Sequence, residues 1–301
     1  MSEEEALDNV KEPVAPQSRI DLERRVEAEY KAALVLLKEK HYKQALRKFK
    51  WVFANEASSD LFLPSTEIRK LVKNYPPAAA VIKRWRNDKE RLVLAQNADL
   101  TLVGQWDTLN SCLGEKKRTM EVYFKLEAAG APEELLHDIL NEIWESLARA
   151  RKYEKLKGYL PTLGFHLLLH SIEFDSAMLF PGHRKQSKKE WQHEIERHIE
   201  YLLDKGSMSY EVALGLGEKR AAAVFAKKIL GVETSDRAYA ILIKSAVRAR
   251  AYPEALAHFA EAKEKFSLRR LKNSSQAIKA IPGGRPASAK QQRLESPKSR
   301  K

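Results

Sequence analysis

Ser146-Leu-Ala-Arg-Ala-Arg-Lys-Tyr153 and Ser245-Ala-Val-Arg-Ala-Arg-Ala-Tyr252 share Ser, Arg, Ala, Arg and Tyr in one register. The two tyrosines lie 99 residues apart, three times 33. A recurring spacing of this size marks a chain built from stacked supersecondary units. Related stretches are Lys40-His41-Tyr42-Lys43-Gln44-Ala45 and Gly104-Gln105-Trp106-Asp107-Thr108-Leu109. In each, an aromatic precedes an apolar residue by three positions: Tyr42/Ala45, Trp106/Leu109, Tyr153/Leu156 and Tyr252/Ala255. The pattern predicts four joints of helical hairpins, the aromatic stapling each turn and the apolar residue admitting a close helix approach.

The flanking segments carry the helical period. Val26, Tyr30, Ala33, Leu34 and Leu37 fall at i, i+4, i+7, i+8 and i+11, and Ala45, Leu46, Phe49, Val52 and Phe53 form a second stripe. Ser65 after Pro64 reads as a helix start, and Pro76-Pro77 stops one helix and opens another. Leu136, Ile139, Leu140, Ile143, Trp144 and Leu147 form the most regular stripe, and Ser235 caps a helix through Tyr239, Leu242, Ile243 and Ala246. No period-two run is bounded by hairpin turns, so the body is expected to be all-α. The expected organisation is a disordered acidic segment over 1–18, a helical-repeat body over 19–266 and a disordered basic tail over 267–301. A division of the body into two halves is expected near 128–132 or 180–190, where Gly and Pro cluster.

Two of the joints go further. Ala45-Leu-Arg-Lys-Phe49 and Ala255-Leu-Ala-His-Phe259 carry the Ala-x-x-x-Phe of a tetratricopeptide second helix, with Ala262 supplying the next small position. Ala33 and Leu242 match first-helix positions, whereas Glu29, Ile243, Ala57 and Ser267 depart from the pattern. The chain thus resembles a degenerate tetratricopeptide array, which implies stacked hairpins in a right-handed solenoid. Residues from about 30 to 160 are also similar to uncharacterised bacterial helical-repeat proteins, through Tyr42–Phe53, Tyr75-Pro-Pro-Ala78, Trp106–Gly114 and Arg118-Thr119. That likeness implies a fold and no activity. A solenoid presents an extended face suited to a protein or peptide ligand. The tetratricopeptide grip on a partner's terminal carboxylate is missing, because its Lys and Asn positions fall on Tyr30, Leu34, Ala240 and Ile243. The resemblance therefore implies a scaffold or adaptor that holds a protein segment by apolar and aromatic groups.

Composition limits the alternatives. Of 301 residues, 44% are hydrophobic and 32% charged, enough to build a core. The single cysteine, Cys112, excludes a disulfide framework and cysteine-based metal sites. Residues 1–16 are acidic and lack the features of a secretory signal. The most apolar stretch, Leu160 to Phe174, is broken by His166, His170 and Glu173 and is too short to span a bilayer. A cytoplasmic, non-membrane protein is expected. The net charge of +13 is concentrated in residues 267–301, where ten basic residues face only Glu295. A basic arm of that density suits phosphates, so nucleic acid is the rival partner. Its candidate contacts are Arg269, Arg270 and Lys272, together with Arg184, Lys185, Lys188 and Lys189 in a predicted loop or helix start.

Catalytic and cofactor motifs are missing from the sequence. Phosphate-loop, dinucleotide and nucleophile-elbow patterns do not occur, and Leu214-Gly-Leu-Gly-Glu218 reads as a helix break. His166 and His170 stand four apart with Glu173 one turn on, a spacing that zinc sites use. The zinc-protease glutamate is absent between them, and two half-buried histidines on an apolar helix are the favoured reading. His193 and His198, five apart, are read as solvated, and the basic run Lys83-Arg84-Trp85-Arg86 as salt-bridged surface. No catalytic residue, metal or cofactor is expected.

Overall fold

The structure, a computed structural model, describes residues 19–55, 65–179 and 187–281. Residues 1–18, Arg184, Lys185 and the last part of the basic tail lie outside these. Every regular element among the described residues is a helix. The chain forms two compact units that divide between Ile143 and Trp144. Neither expected boundary marks the division. It falls inside one unbroken helix, whose stripe from Leu136 to Leu147 carries no glycine or proline to mark it.

The first unit contains α1 (Arg19–Lys38), α2 (Tyr42–Asn55), α3 (Ser65–Asn74), α4 (Pro76–Leu94), α5 (Leu100–Cys112), α6 (Lys117–Ala128) and the start of α7 (Glu133–Arg149). The two predicted stripes of α1 and α2 close on each other. Val26 and Ala33 meet Ala45, Leu46, Phe49, Val52 and Phe53, with Ile68, Leu71, Ala78 and Ile82 completing the core. The Tyr30 and Phe49 rings stand 6.3 Å apart, and Tyr42 stacks on Tyr75 at 6.2 Å. Ala33, Ala45 and Ala78 are fully buried, and their small side chains let backbones approach.

The second unit continues from α7 through a 3-10 turn (Tyr153–Leu156), α8 (Leu160–Leu179) and α9 (Lys188–Tyr201). A π turn (Leu202–Gly206) follows, then α10 (Ser207–Gly215), α11 (Lys219–Val232), α12 (Asp236–Arg248), α13 (Tyr252–Lys265) and α14 (Lys272–Lys279). α10 pairs with α11 and α12 with α13, while α10 packs on α12 and α12 on α14. Ala238, Ala246, Ala255 and Ala262 lie wholly inside this stack. Ser235 caps α12 as its sequence predicts, accepting from the Ala238 amide at 3.1 Å.

One device closes most of the turns. Lys40, Gln96, Gly114, Gly130, Arg151, Gly217 and Arg250 all adopt positive φ, between 57° and 76°. After each, the next amide reaches back five residues: His41 to Leu36, Asn97 to Leu92, Glu115 to Asn110, Ala131 to Leu126, Lys152 to Leu147, Glu218 to Ala213 and Ala251 to Ala246, all at 2.8–3.0 Å. This left-handed closure satisfies carbonyls that a helix end otherwise leaves orphaned. Three of the predicted joints are this closure. Tyr42, Tyr153 and Tyr252 each follow a left-handed basic residue by two positions. The repeated Ala-Arg-x-Tyr of 150–153 and 249–252 is therefore a turn sequence.

Two expectations are corrected. Trp106 and Leu109 do not stand at a joint, because both are buried inside α5. The actual turn lies earlier, at left-handed Gln96, and Asp99 caps α5 by accepting from the Leu102 amide at 2.8 Å. The tail is also not disordered from residue 267. Leu271, Ile278 and Ile281 are spaced to give the basic segment 272–279 one apolar face, which packs into the second core along with buried Ser274. Of the repeat positions, Ala45, Phe49, Leu156, Ala255 and Ala262 are buried, whereas Tyr42, Tyr252 and Phe259 are half-buried. Phe259 carries Lys263 Nζ 5.9 Å over its ring.

A β-carbon placed on Gly217 would meet no atom within 4 Å, so glycine serves its backbone alone. Gly217→Ala is expected to destabilise by about 1 kcal/mol, the penalty for a side chain in the left-handed region. Arg250→Gly, which removes that penalty at the equivalent turn, should not destabilise. Urea midpoints of the two variants measure this, and an unshifted midpoint for Gly217→Ala contradicts it.

Candidate functional site

Helix α8 is apolar on two opposite sides. Leu167 and Phe174 face the second core, and Leu163 is buried on the same side of the helix. At about 100° per residue, Phe165, Leu168, Leu169, Ile172 and Leu179 fall on the far side. These residues are 41–73% exposed. A helix apolar all round is normally covered all round, and a contiguous exposed apolar face marks an interaction surface.

The predicted histidine pair resolves differently from its spacing. His166 and His170 share a flank of α8, but His198 on α9 is the residue that meets His170 and Glu173. His170 Nδ1 lies 2.9 Å from Glu173 Oε2, and the His170 ring rests on Tyr201 with centroids 3.7 Å apart. Sequence spacing sees neighbours along one helix and is blind to the residue supplied by the next. His193 is exposed, as read from the sequence.

A groove of about 590 Å³ runs between α11 and α13 and is floored by α10. Its floor is Tyr210, Leu214, Ala222 and Ala226, and its rim holds Lys219, Lys227, Glu254 and Glu261. Lys219 and Glu254 approach to 3.0 Å across it. His258 Nε2 lies 3.1 Å from the Tyr210 hydroxyl. Burial holds the His258 imidazole below its usual range against the pull of Glu261 and Glu254, favouring the neutral ring.

The turn aromatic Tyr153 reaches beyond its own joint. Its hydroxyl donates to Glu211 Oε1 at 2.8 Å on α10, and Arg248 Nε lies 3.3 Å from the other carboxylate oxygen. A β-carbon at Gly215 would overlap the Tyr153 ring. Burial pushes the Glu211 carboxyl up despite those partners.

In the first unit, Trp106, Asp107, Asn110, Arg118 and Thr119 belong to one polar assembly. Arg118 grips Glu90 through Nε and Nη2 at 2.6 and 2.7 Å, and Trp106 Nε1 donates to Glu90 at 3.2 Å. Burial pushes the Glu90 carboxyl up, but Arg118, Trp106 and Arg86 together outweigh it and the net shift is downward. Arg86 Nη1 donates to Asn110 Oδ1 at 2.9 Å and to Glu115. Asn110 donates to Thr119 at 3.1 Å, and Thr119 donates to Asp107 at 2.6 Å. Arg86 is therefore not surface, as its basic run suggests, but 1% exposed. Cys112 is buried, with its thiol pushed up to about 12.

Of the expected phosphate contacts, Arg184 and Lys185 lie outside the described residues. Lys188 and Lys189 are exposed in the first turn of α9, which Ser187 and Glu190 close as a reciprocal cap. Arg269 and Lys272 are exposed, and Arg270 pairs with Asp236 at 2.6 Å while covering the Phe266 ring. No helix among the described residues is long and apolar enough to cross a membrane. No protein-family model matches the chain, and comparison with curated proteins and with solved structures returns no significant match.

Glu142 supplies a pH test. Burial, reinforced by nearby Asp107, pushes its carboxyl up to about 7. The folded chain then keeps a proton that the unfolded chain releases above the ordinary carboxylate range. Stability consequently falls as pH rises through about 4.5 to 7. Glu142→Gln is expected to melt higher than the parent near pH 8 and equally near pH 4. Equal differences at both pH values contradict the assignment.

Proposed function

We propose that this chain is a non-enzymatic interaction module, a tetratricopeptide-like right-handed array of helical hairpins that holds a segment of a protein partner. The observation that carries this reading is the exposed face of α8. Phe165, Leu168, Leu169 and Ile172 occupy consecutive turns of one helix side, the anchor spacing that an amphipathic partner helix matches. An aromatic and three aliphatic side chains on a rigid helix give a desolvated centre of the kind that dominates binding energy. The single buried thiol suits a reducing compartment such as the cytoplasm.

The double variant Phe165→Glu/Ile172→Glu tests this. Both side chains are exposed, so helicity and melting temperature are expected to stay near the parent's. Affinity for the partner captured by the parent from its native host should fall at least about thirtyfold, the loss of one interface hot spot of roughly 2 kcal/mol. Identical capture and affinity in a folded double variant contradict the proposal.

A further inference from the structure

We infer that His170, Glu173 and His198 form a divalent-metal site that ties α8 to α9, with zinc as the ion whose chemistry fits. Two imidazoles and one carboxylate are a donor set that zinc accepts, leaving a fourth position for water or another ligand. One ring nitrogen of each histidine and one oxygen of Glu173 lie within 4.8 Å of one another. Donors about 2.0–2.1 Å from zinc stand roughly 3.4 Å apart in a tetrahedron. The wider separations must close by up to about 1.4 Å, which rotation of the exposed Glu173 side chain and small shifts of the two half-buried rings supply.

A second observation is independent of the clustering. His170 Nδ1 is shielded from solvent and makes no hydrogen bond. Its 2.9 Å approach to Glu173 Oε2 lacks hydrogen-bond direction. Buried ring nitrogens are nearly always partnered, so an unsatisfied one points to a ligand. The scaffold around it is also fixed. The Tyr201 ring lies tilted against the His170 ring, and Trp191 Nε1 donates to the Ala177 carbonyl at 2.9 Å, pinning α9 onto α8. The π turn Leu202–Gly206 follows directly, and such widened turns concentrate at functional sites. A β-carbon at Gly206 would press on Leu167 and Ile229 at 3.1 Å, so the turn brings the backbone tightly against α8. Glu194 Oε1, 4.0 Å from His198 Nε2, adds negative charge beside the site. A bound divalent ion offsets the two carboxylates gathered there and adds a second polar tie between the two helices.

The full chain, stripped with chelator, is titrated with zinc by calorimetry and with cobalt by visible absorption. The expected result is one saturable zinc site, a rise in melting temperature with zinc, and cobalt bands of a low-coordinate nitrogen–oxygen site. His170→Ala, His198→Ala and Glu173→Gln should each weaken zinc by at least the roughly 10–100-fold that loss of a mere supporting partner costs. His166→Ala and His193→Ala should leave the affinity unchanged. Glu173 is exposed, so Glu173→Gln reads the site even where a histidine variant misfolds. Absence of saturable zinc binding in the parent overturns the assignment. So does binding that survives Glu173→Gln and folded His198→Ala at parental strength.

Discussion

A helix that turns back on its neighbour leaves carbonyls exposed at its last turn, and in this chain a single left-handed residue resolves that problem again and again. The amide after it reaches the carbonyl five residues behind, and the chain leaves at an angle that lays the next helix alongside. Everything else in the two units depends on that exit. Alanines at the crossing points matter only because the turn brings them together, and the core of each unit is the sum of stripes that successive turns bring face to face. Glycine fills three of these positions and lysine, arginine or glutamine the other four. The strain accepted at the four indicates that tertiary packing determines the turn even where the local residue disfavours it.

The buried polar groups add specificity to this arrangement. Glu90, gripped by Arg118 and Trp106, and Arg86, held by Asn110 and Glu115, join α4, α5 and the start of α6 in one register. A buried ion cluster is a weak source of net stability, but a slipped register would strand its charges, which is a severe penalty. Tyr153 and Glu211 act similarly in the second unit, fastening a turn to a distant helix.

The all-α architecture is legible in the sequence because helical stripes such as Val26–Leu37 and Leu136–Leu147 are long and regular. Three of the four predicted joints are turns, and at two of them the same Ala-Arg-x-Tyr supplies the left-handed residue. Trp106 misleads because an aromatic followed by leucine three positions on occurs equally well within a buried helix. The ordering of 272–279 is hidden by charge: composition weighs its lysines, while packing uses only Leu271, Ile278 and Ile281. The candidate site is half legible. His170 and Glu173 can be read from spacing along α8, whereas His198 enters only through the packing of α9, which no linear spacing reports. The outer face of α8 is fully present in the sequence, but apolar residues on two sides of a helix do not say which side the core takes.

The closure of the turns is tested most directly by native-state hydrogen exchange. The amides of His41, Glu115, Lys152, Glu218 and Ala251 lie outside the helices, yet bond at 2.8–2.9 Å to carbonyls five residues earlier. They should exchange as slowly as the amides of the last helical turn preceding them. Exchange at the rate of an unfolded chain at these positions, with the helices themselves protected, would contradict the account.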